Sequence, residues 1–270
     1  MPELPEVETT RRGLEPFLVG RRIEALEIRD HRLRWPIAAG LDRQLAGREI
    51  DALERRGKYL LIRVDTGALL VHLGMSGSLR FMAETAAPGK HDHVDLVLSG
   101  GGYVRYNDPR RFGSMHFSAE PLGHPLLRDL GPEPLGSAFT TDYLAGQCRG
   151  RRTAIKSLIM NAHVVVGVGN IYANESLYLA GIHPARSASR IARGRLELLV
   201  ASIRNVLQAA LSQGGTTLRD FVGGDGRPGY FRQSLAVYER NGEPCRRCGT
   251  AIRRRVLGQR ATYYCPRCQR

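Results

Sequence analysis

Residues 58–73 read KYLLIRVDTGALLVHL, and this stretch decides the fold of the first half of the chain. Lys58 to Val64 and Ala68 to Leu73 are two aliphatic, β-branched runs separated by Asp-Thr-Gly. Such residues suit a pleated surface buried on at least one face, and an Asp-to-Gly break between two runs marks a turn. Outward from this pair the pattern repeats at Ser78 to Met82, His93 to Leu98, Tyr103 to Tyr106 and Ser114 to Phe117, with Gly and Asp or Asn between the runs. Residues 21 to about 118 therefore read as an antiparallel sandwich or barrel.

On either side the period changes. Leu4, Val7, Leu14 and Phe17 recur at helical spacing, with Pro5 in the first turn, where a missing N–H costs nothing. Pro121 to Pro134 is rich in Pro, Gly and Leu and reads as a linker. Beyond it the pattern is helical. Thr153 is a candidate N-cap for a short helix carrying Ile155, Leu158 and Ile159. Ile171 to Ala180 forms a second helix, stopped by Gly181 and Pro184. The longest helix is expected from about Ser189 to Gln213, with the stripe Leu196, Leu199, Val200, Ile203, Val206, Leu207, Ala210 and Leu211. Gly214 to Gly229 follows as a long glycine-rich loop, of a length that is usually functional.

Bulk composition narrows the function classes. Lys plus Arg is 40 against 26 acids, a net charge of +14, and Arg far outnumbers Lys. A field of that sign attracts polyanions, and the guanidinium fork suits phosphates and base edges. No apolar run is long enough to span a bilayer, and the acidic start lacks the apolar core of a signal peptide. The expected location is the cytoplasm. Of five cysteines, Cys148 stands alone and reads as a small buried residue.

The other four carry the most specific chemical signal. Cys245-x2-Cys248 and Cys265-x2-Cys268 are separated by 16 residues, a hairpin's length. Two close thiolate pairs so spaced make a tetrahedral four-sulfur zinc site, and with every position filled by protein the metal is structural. Eight arginines accompany the cysteines, at 246, 247, 253, 254, 255, 260, 267 and 270, with no acid from Cys245 onward. A metal-stapled hairpin with this charge is suited to gripping a phosphate backbone.

At the other end, Pro2 follows Met1. Removal of Met1 would expose a secondary amine able to attack a sugar carbon and form an iminium. Glu3 adjoins it and Glu6 lies one turn on. Taken alone, Pro-Glu-Leu-Pro-Glu is better read as an acidic helix start.

Several motifs in fixed order settle the choice. They are Met-Pro-Glu-Leu-Pro-Glu-Val-Glu-Thr at the start, Gly57-Lys58-Tyr59-Leu60, His72-Leu73-Gly74-Met75-Ser76-Gly77, Asn107-Asp108-Pro109-Arg110-Arg111-Phe112-Gly113 and Gly167-Val168-Gly169-Asn170-Ile171-Tyr172-Ala173, completed by the four cysteines. Together they resemble the bacterial formamidopyrimidine-DNA glycosylase family from end to end. The resemblance implies an α+β multidomain fold: an N-terminal helix with an antiparallel β-sandwich (1–120), a linker (121–134), a helical domain with a helix–two-turn–helix and a loop over the lesion (135–234), and a zinc-finger hairpin (235–270). It implies a base-excision repair enzyme acting on damaged double-stranded DNA, working as a monomer in the bacterial cytoplasm at the nucleoid. One structural zinc is the implied metal.

The resemblance also assigns roles. Pro2 becomes the nucleophile and Glu3 the acid/base, with Lys58 and the finger's Arg260 completing the catalytic set and Glu6 and Glu175 in support. Met75, Arg110 and Phe112 become a wedge filling the space of the flipped nucleotide, a task for apolar side chains plus a hydrogen-bond donor. His72, His91, Arg111, Arg152, Asn170 and Arg219 become further DNA contacts, with Tyr238 near them. Arg219 departs from the Lys common in the family. The endonuclease VIII branch of the superfamily, which prefers oxidised pyrimidines, is the nearest rival, and Leu4 favours the purine branch. A non-catalytic zinc-finger DNA-binding protein is the rival from another class.

Overall fold

The computed structural model describes residues 2–215 and 234–270. These fall into two compact units, residues 2–128 with 213–215 and residues 129–212 with 234–270. The sequence-expected lesion loop and Arg219 lie outside the described residues.

The first unit is a helix on a sandwich. Helix α1 (Leu4–Leu18) buries Leu4, Val7, Leu14 and Leu18. Phe17, expected on the same stripe, is 37% exposed and stacks instead on Phe81 at 4.3 Å. One sheet holds, in spatial order, β1 (Ile23–Ile28), β6 (Asp92–Leu98), β7 (Tyr103–Asn107) and β5 (Ser78–Met82). The other holds β2 (Ile50–Arg56), β3 (Tyr59–Val64), β4 (Gly67–His72) and β8 (Ser114–Ser118). Every pairing is antiparallel. Ile62, Leu69, Val71 and Met115 from one sheet join Leu26, Leu79, Leu96, Val104 and Tyr106 from the other in a common core. A short helix, α2 (Leu41–Leu45), buries its two leucines in the same core.

In the second unit, α3 (Thr141–Cys148) is capped by Thr140, whose Oγ1 accepts from the Tyr143 N–H at 3.1 Å. Helix α4 (Ile155–Ile159), a double turn and α5 (Asn170–Leu179) follow. The N-cap of α4 is Ala154, not Thr153. The Thr153 carbonyl accepts from Ala188 N at 2.9 Å, and Ala154 bridges Ser187, so these residues are spent on pairing with a segment more than 30 residues on. The same pairing delays the longest helix. Ala188–Arg190 is a 3₁₀ turn tied back to Arg151 and Thr153, and α6 (Arg193–Ser212) starts beyond it. All eight residues of its expected stripe are buried. Cys148 is buried and unpaired. Strands β9 (Arg253–Leu257) and β10 (Arg260–Tyr264) form the terminal hairpin. Among the described residues no helix is long and apolar enough to cross a membrane.

Candidate active site and nucleic-acid interface

In the first unit the N-terminal residues are ordered by the helix they start. Glu3 is the N-cap of α1 and forms a reciprocal capping box with Glu6. The Glu3 N–H donates to Glu6 Oε2 at 2.8 Å, and both side chains are almost wholly buried. Pro2 is buried beside them. The helix N-terminus adds a positive dipole end to this acidic corner, which stabilises carboxylate charge there. Helix α1 is fastened to β2 by Arg55, which meets Glu8 at 3.1 Å and donates to the Gly57 carbonyl at 3.0 Å. The tight turn Gly57–Lys58 is thereby held to the helix that carries Pro2 and Glu3.

Lys58 leads into β3, where Tyr59 pairs with His72 of β4, their rings 4.7 Å apart. His72 Nδ1 accepts the Gly74 N–H at 3.1 Å, which leaves the ring proton of the neutral tautomer on Nε2 as a donor. Burial, reinforced by the charges of Lys58 and Arg34, pushes its pKa down to about 4. The ring is neutral at physiological pH, a donor without a charge of its own.

The turn after β4 carries Met75 and lies against the loop carrying Arg110, Arg111 and Phe112. Gly74 has φ +63, and a Cβ there would collide with the backbone of Phe112 and Gly113. Only glycine allows both that conformation and that approach. Phe112 is exposed, and the Arg110 guanidinium stands 4.8 Å from its ring centroid, a cation–π pair at the surface. Arg111, at φ +55, pairs with Asp30 at 2.6 Å. The sequence offers it to a phosphate; here a carboxylate already holds one edge of its guanidinium. His91 joins this region through its carbonyl, which accepts from Asp108 N at 3.0 Å.

The remaining candidates belong to the second unit. Asn170 opens α5, and its amide donates to the Ala261 carbonyl at 3.0 Å, so it is committed to the finger's strand β10. Arg260 is exposed at the start of β10, after a two-residue turn with both φ positive at Gly258 and Gln259. Arg152 is exposed ahead of α4. Glu175 is buried and accepts three consecutive backbone N–H groups, from Ala236, Val237 and Tyr238, at 2.7–2.9 Å. Burial raises its pKa, against the lowering effect of those three donors. These contacts hold residues 236–238 to α5. The Tyr238 ring packs on Tyr263 at 5.2 Å.

The four cysteines converge, with all sulfurs within 4.8 Å of one another. Cys245–Cys268 and Cys248–Cys265 sulfurs lie 3.9 and 3.5 Å apart. A tetrahedron with Zn–S near 2.3 Å requires sulfur separations of about 3.8 Å, so the residues fit one structural zinc. Tyr178 of α5 lies with its hydroxyl 3.3 Å from Cys245 Sγ, and it shares a small core with Val237, Ile252 and Cys265.

Sequence reasoning passes over three buried polar residues. Lys156, 1% exposed, donates from Nζ to Thr262 Oγ1 at 2.7 Å and to the Ala261 carbonyl at 3.0 Å. Asn174 Oδ1 accepts the Tyr263 N–H at 2.9 Å. These two and Asn170 hold β10 on the α4–α5 segment. Asp108 gathers the loops around Met75 and Arg110. Lys156 is hidden in an apolar helical stripe, and nothing in spacing alone marks it.

Family models match in three successive segments: the formamidopyrimidine-DNA glycosylase N-terminal domain over residues 1–115, its H2TH domain over 130–222, and a zinc finger found in FPG and IleRS over 242–270. The formamidopyrimidine-DNA glycosylase of Stutzerimonas stutzeri is 59% identical over 270 residues, covering all of both chains. That of Alkalilimnicola ehrlichii is 56% identical over 277 residues, again with full coverage. Among solved structures, MutM (Fpg) from Thermus thermophilus superposes with a TM-score of 0.89 at 39% identity, covering 99% of this chain and 98% of that one. A Lactococcus lactis Fpg mutant in complex with DNA containing Fapy-dG gives 0.93 at 34% identity, with full coverage of both. MutM in complex with DNA containing carbocyclic 8-oxo-G gives 0.91 at 35%, also with full coverage. The chain belongs to the formamidopyrimidine-DNA glycosylase family.

Proposed function

We propose that this protein is a bifunctional DNA glycosylase and abasic-site lyase that removes oxidised purines, 8-oxoguanine and formamidopyrimidines, from duplex DNA. The observation that carries the reading is the N-terminal capping box, which fixes Glu3 next to Pro2 in a buried corner. The relatives' names and the damaged-DNA complexes of its structural neighbours support the substrate class.

Once Met1 is removed, the Pro2 amine attacks C1′ of the flipped nucleotide. The C1′–N bond breaks and the departing base takes a proton, for which Glu3 is the adjacent donor. The amine then gives up its proton and the sugar ring opens. The C1′–O4′ bond breaks, O4′ leaves as a hydroxyl that takes up that proton, and the amine–C1′ bond becomes an iminium that acidifies C2′–H. Loss of that proton expels the 3′ phosphate, and a second elimination expels the 5′ phosphate. Lys58 and the neutral His72 suit backbone contacts near the reacting sugar, and the exposed Arg260 of the finger suits a phosphate contact. Met75, Arg110 and Phe112 suit the vacated space. One zinc holds the finger and takes no part in the chemistry. Work on the chromosome implies the bacterial cytoplasm at the nucleoid, a reading supported by the net charge of +14 and the bacterial relatives.

Borohydride trapping on an 8-oxoguanine·C duplex tests the proposal. The expected result is a covalent adduct that peptide mapping locates on Pro2, with Pro2→Gly severely impaired. An adduct on Lys58, or binding with no adduct, would sink it.

A further inference from the structure

Asp108 is fully buried, and among the described residues its carboxylate is met by neutral donors rather than by a cation. Oδ1 accepts from Ser76 Oγ at 2.8 Å and from Arg110 N at 3.3 Å. Oδ2 accepts from Gly113 N at 2.9 Å and from Tyr106 Oη at 3.1 Å. The residue's own carbonyl accepts from His93 Nε2 at 2.8 Å and Arg111 N at 3.2 Å. A buried charge is costly, and charge-assisted bonds of this number are what make it tolerable.

The four donors divide unequally. Arg110 N and Gly113 N belong to the loop Asp108 itself begins, and Tyr106 to the strand that leads into it. Ser76 alone comes from the other loop, the turn that carries Met75. Behind this bond Gly74 lies against the backbone of Phe112 and Gly113. Met75 on one side, and Arg110 and Phe112 on the other, are thus borne on two backbones joined at Ser76, whose Oγ donates to Asp108 and accepts from Arg110 N at 3.3 Å.

We propose that the Ser76–Asp108 hydrogen bond is a positioning device that makes Met75, Arg110 and Phe112 enter a duplex as one rigid body. The inference rests on the proposed function. Unstacking a base step is unfavourable, and side chains that fill the gap offset it only if they arrive together and correctly spaced. Two independently mobile loops would each have to be ordered on the DNA. Ser76 and Asp108 touch no substrate in this scheme; they act through the three residues they hold.

A double-mutant cycle separates this from a merely structural role. Excision from a lesion·C duplex is measured for Met75→Ala, Phe112→Ala and the pair, first in the wild-type background and then with Ser76→Ala. Residues in contact or in one network depart from additivity, whereas independent ones do not. The expected result is that the second truncation costs at least about fivefold less than it does alone in the wild-type background. With Ser76→Ala the two become additive within about twofold, and Ser76→Thr, which keeps the hydroxyl, restores the coupling. Trapping on a preformed abasic site, where no damaged base has to be displaced, falls far less than excision does. Additivity in the wild-type background, or unchanged coupling with Ser76→Ala, overturns the inference. If the wild-type protein forms no adduct on either duplex, it is the proposed function that fails.

Discussion

The Glu3 N–H is held by the Glu6 carboxylate at 2.8 Å, so the residue proposed as acid/base is also the cap of the helix behind it. On the proposed mechanism, Glu6 is expected to act on the chemistry through geometry. Glu6→Ala frees the N-cap, and a lost cap costs about 0.5–2 kcal/mol of local order. The expected outcome is a roughly tenfold or greater fall in the rate of borohydride trapping, with a melting temperature only a few degrees lower. Glu6→Gln keeps an acceptor and loses less. Equal trapping rates for wild type and Glu6→Ala would show that the cap has no bearing on the amine.

Glu3 itself is expected to divide the two activities. Proton transfer to a leaving base is worth about 10²–10⁴-fold, and an abasic site has no base to release. Glu3→Gln is expected to lose excision of 8-oxoguanine by that order while still forming an iminium on an abasic duplex. The two rates are compared on matched oligonucleotides, and parallel losses would contradict the division.

His72 makes a prediction about pH. Its pKa in the folded chain is pushed down to about 4, first by burial and then by the charges of Lys58 and Arg34. The unfolded chain binds that proton near pH 6.5, so between pH 6.5 and 4 the unfolded state holds more protons than the folded one. The stabilising contribution is complete above pH 6.5 and is lost as pH falls toward 4. His116, His124 and His183 are shifted the same way, so the measurement must be a difference. Urea midpoints of wild type and His72→Gln, taken at pH 7, 5.5 and 4.5, should converge as pH falls. Lys58→Gln should raise the His72 pKa only part of the way to 6.5, because burial is the larger cause.

Much of this architecture is legible in the chain because its signals are strong and local. The aliphatic run Tyr59–Val64 and the stripe of α6 bury where their periods place them. The sequence pattern does not single out strands β1 and β2, and their burial explains why. Ile23–Ile28 and Ile50–Arg56 expose Glu24, Glu27, Asp51 and Glu54 and bury Ile23, Leu26, Ile50 and Leu53 three residues apart, a spacing nearer a helix's than a strand's. Bulges at Ile23/Ala25 and Ile50/Ala52 shift the alternation. The start of α6 departs from its apolar pattern because Ala188–Arg190 pairs with Arg151 and Thr153, a contact no local propensity encodes. Buried polar hubs such as Lys156 and Asp108 escape for the same reason: their partners lie far along the sequence or in turns whose geometry is tertiary.

Zinc is expected to hold the finger through both its own ligands and α5. Cys248→Ser should abolish stoichiometric metal and weaken DNA binding, while Leu196 to Leu211 keep the helical core of the same unit folded. Tyr178→Phe leaves the shared core almost unchanged but removes the hydroxyl that meets Cys245 Sγ at 3.3 Å. Partners of this kind change metal affinity by about 10–100-fold. Zinc loss to a chromophoric chelator should therefore be faster for Tyr178→Phe by at least the lower figure. A purified wild-type protein without zinc, or an unchanged release rate in Tyr178→Phe, would contradict these expectations.

Arg110 is expected to read the base opposite the lesion. Its backbone N–H is fixed by Asp108 Oδ1 and Ser76 Oγ, and its guanidinium is steadied over Phe112, yet the side chain is exposed. A guanidinium offers donors only. An orphaned cytosine presents two acceptors, O2 and N3, on its exposed edge, whereas an adenine presents an acceptor and an amino group that would face the arginine donor to donor. A good bidentate contact discriminates by about 1–3 kcal/mol, or roughly 5- to 150-fold. The preference has a biological sense, since removing the lesion opposite adenine would fix a mutation. Arg110→Ala is therefore expected to lower excision from lesion·C duplexes far more than from lesion·A duplexes, narrowing the ratio by a factor in that range. Met75→Ala and Phe112→Ala should slow both duplexes alike, because they fill space and present no donors. Excision rates on the two duplexes under single-turnover conditions decide the matter. If Arg110→Ala leaves the C-over-A ratio unchanged, the guanidinium only fills the gap or meets a phosphate, and selection of the opposite base must arise from other groups.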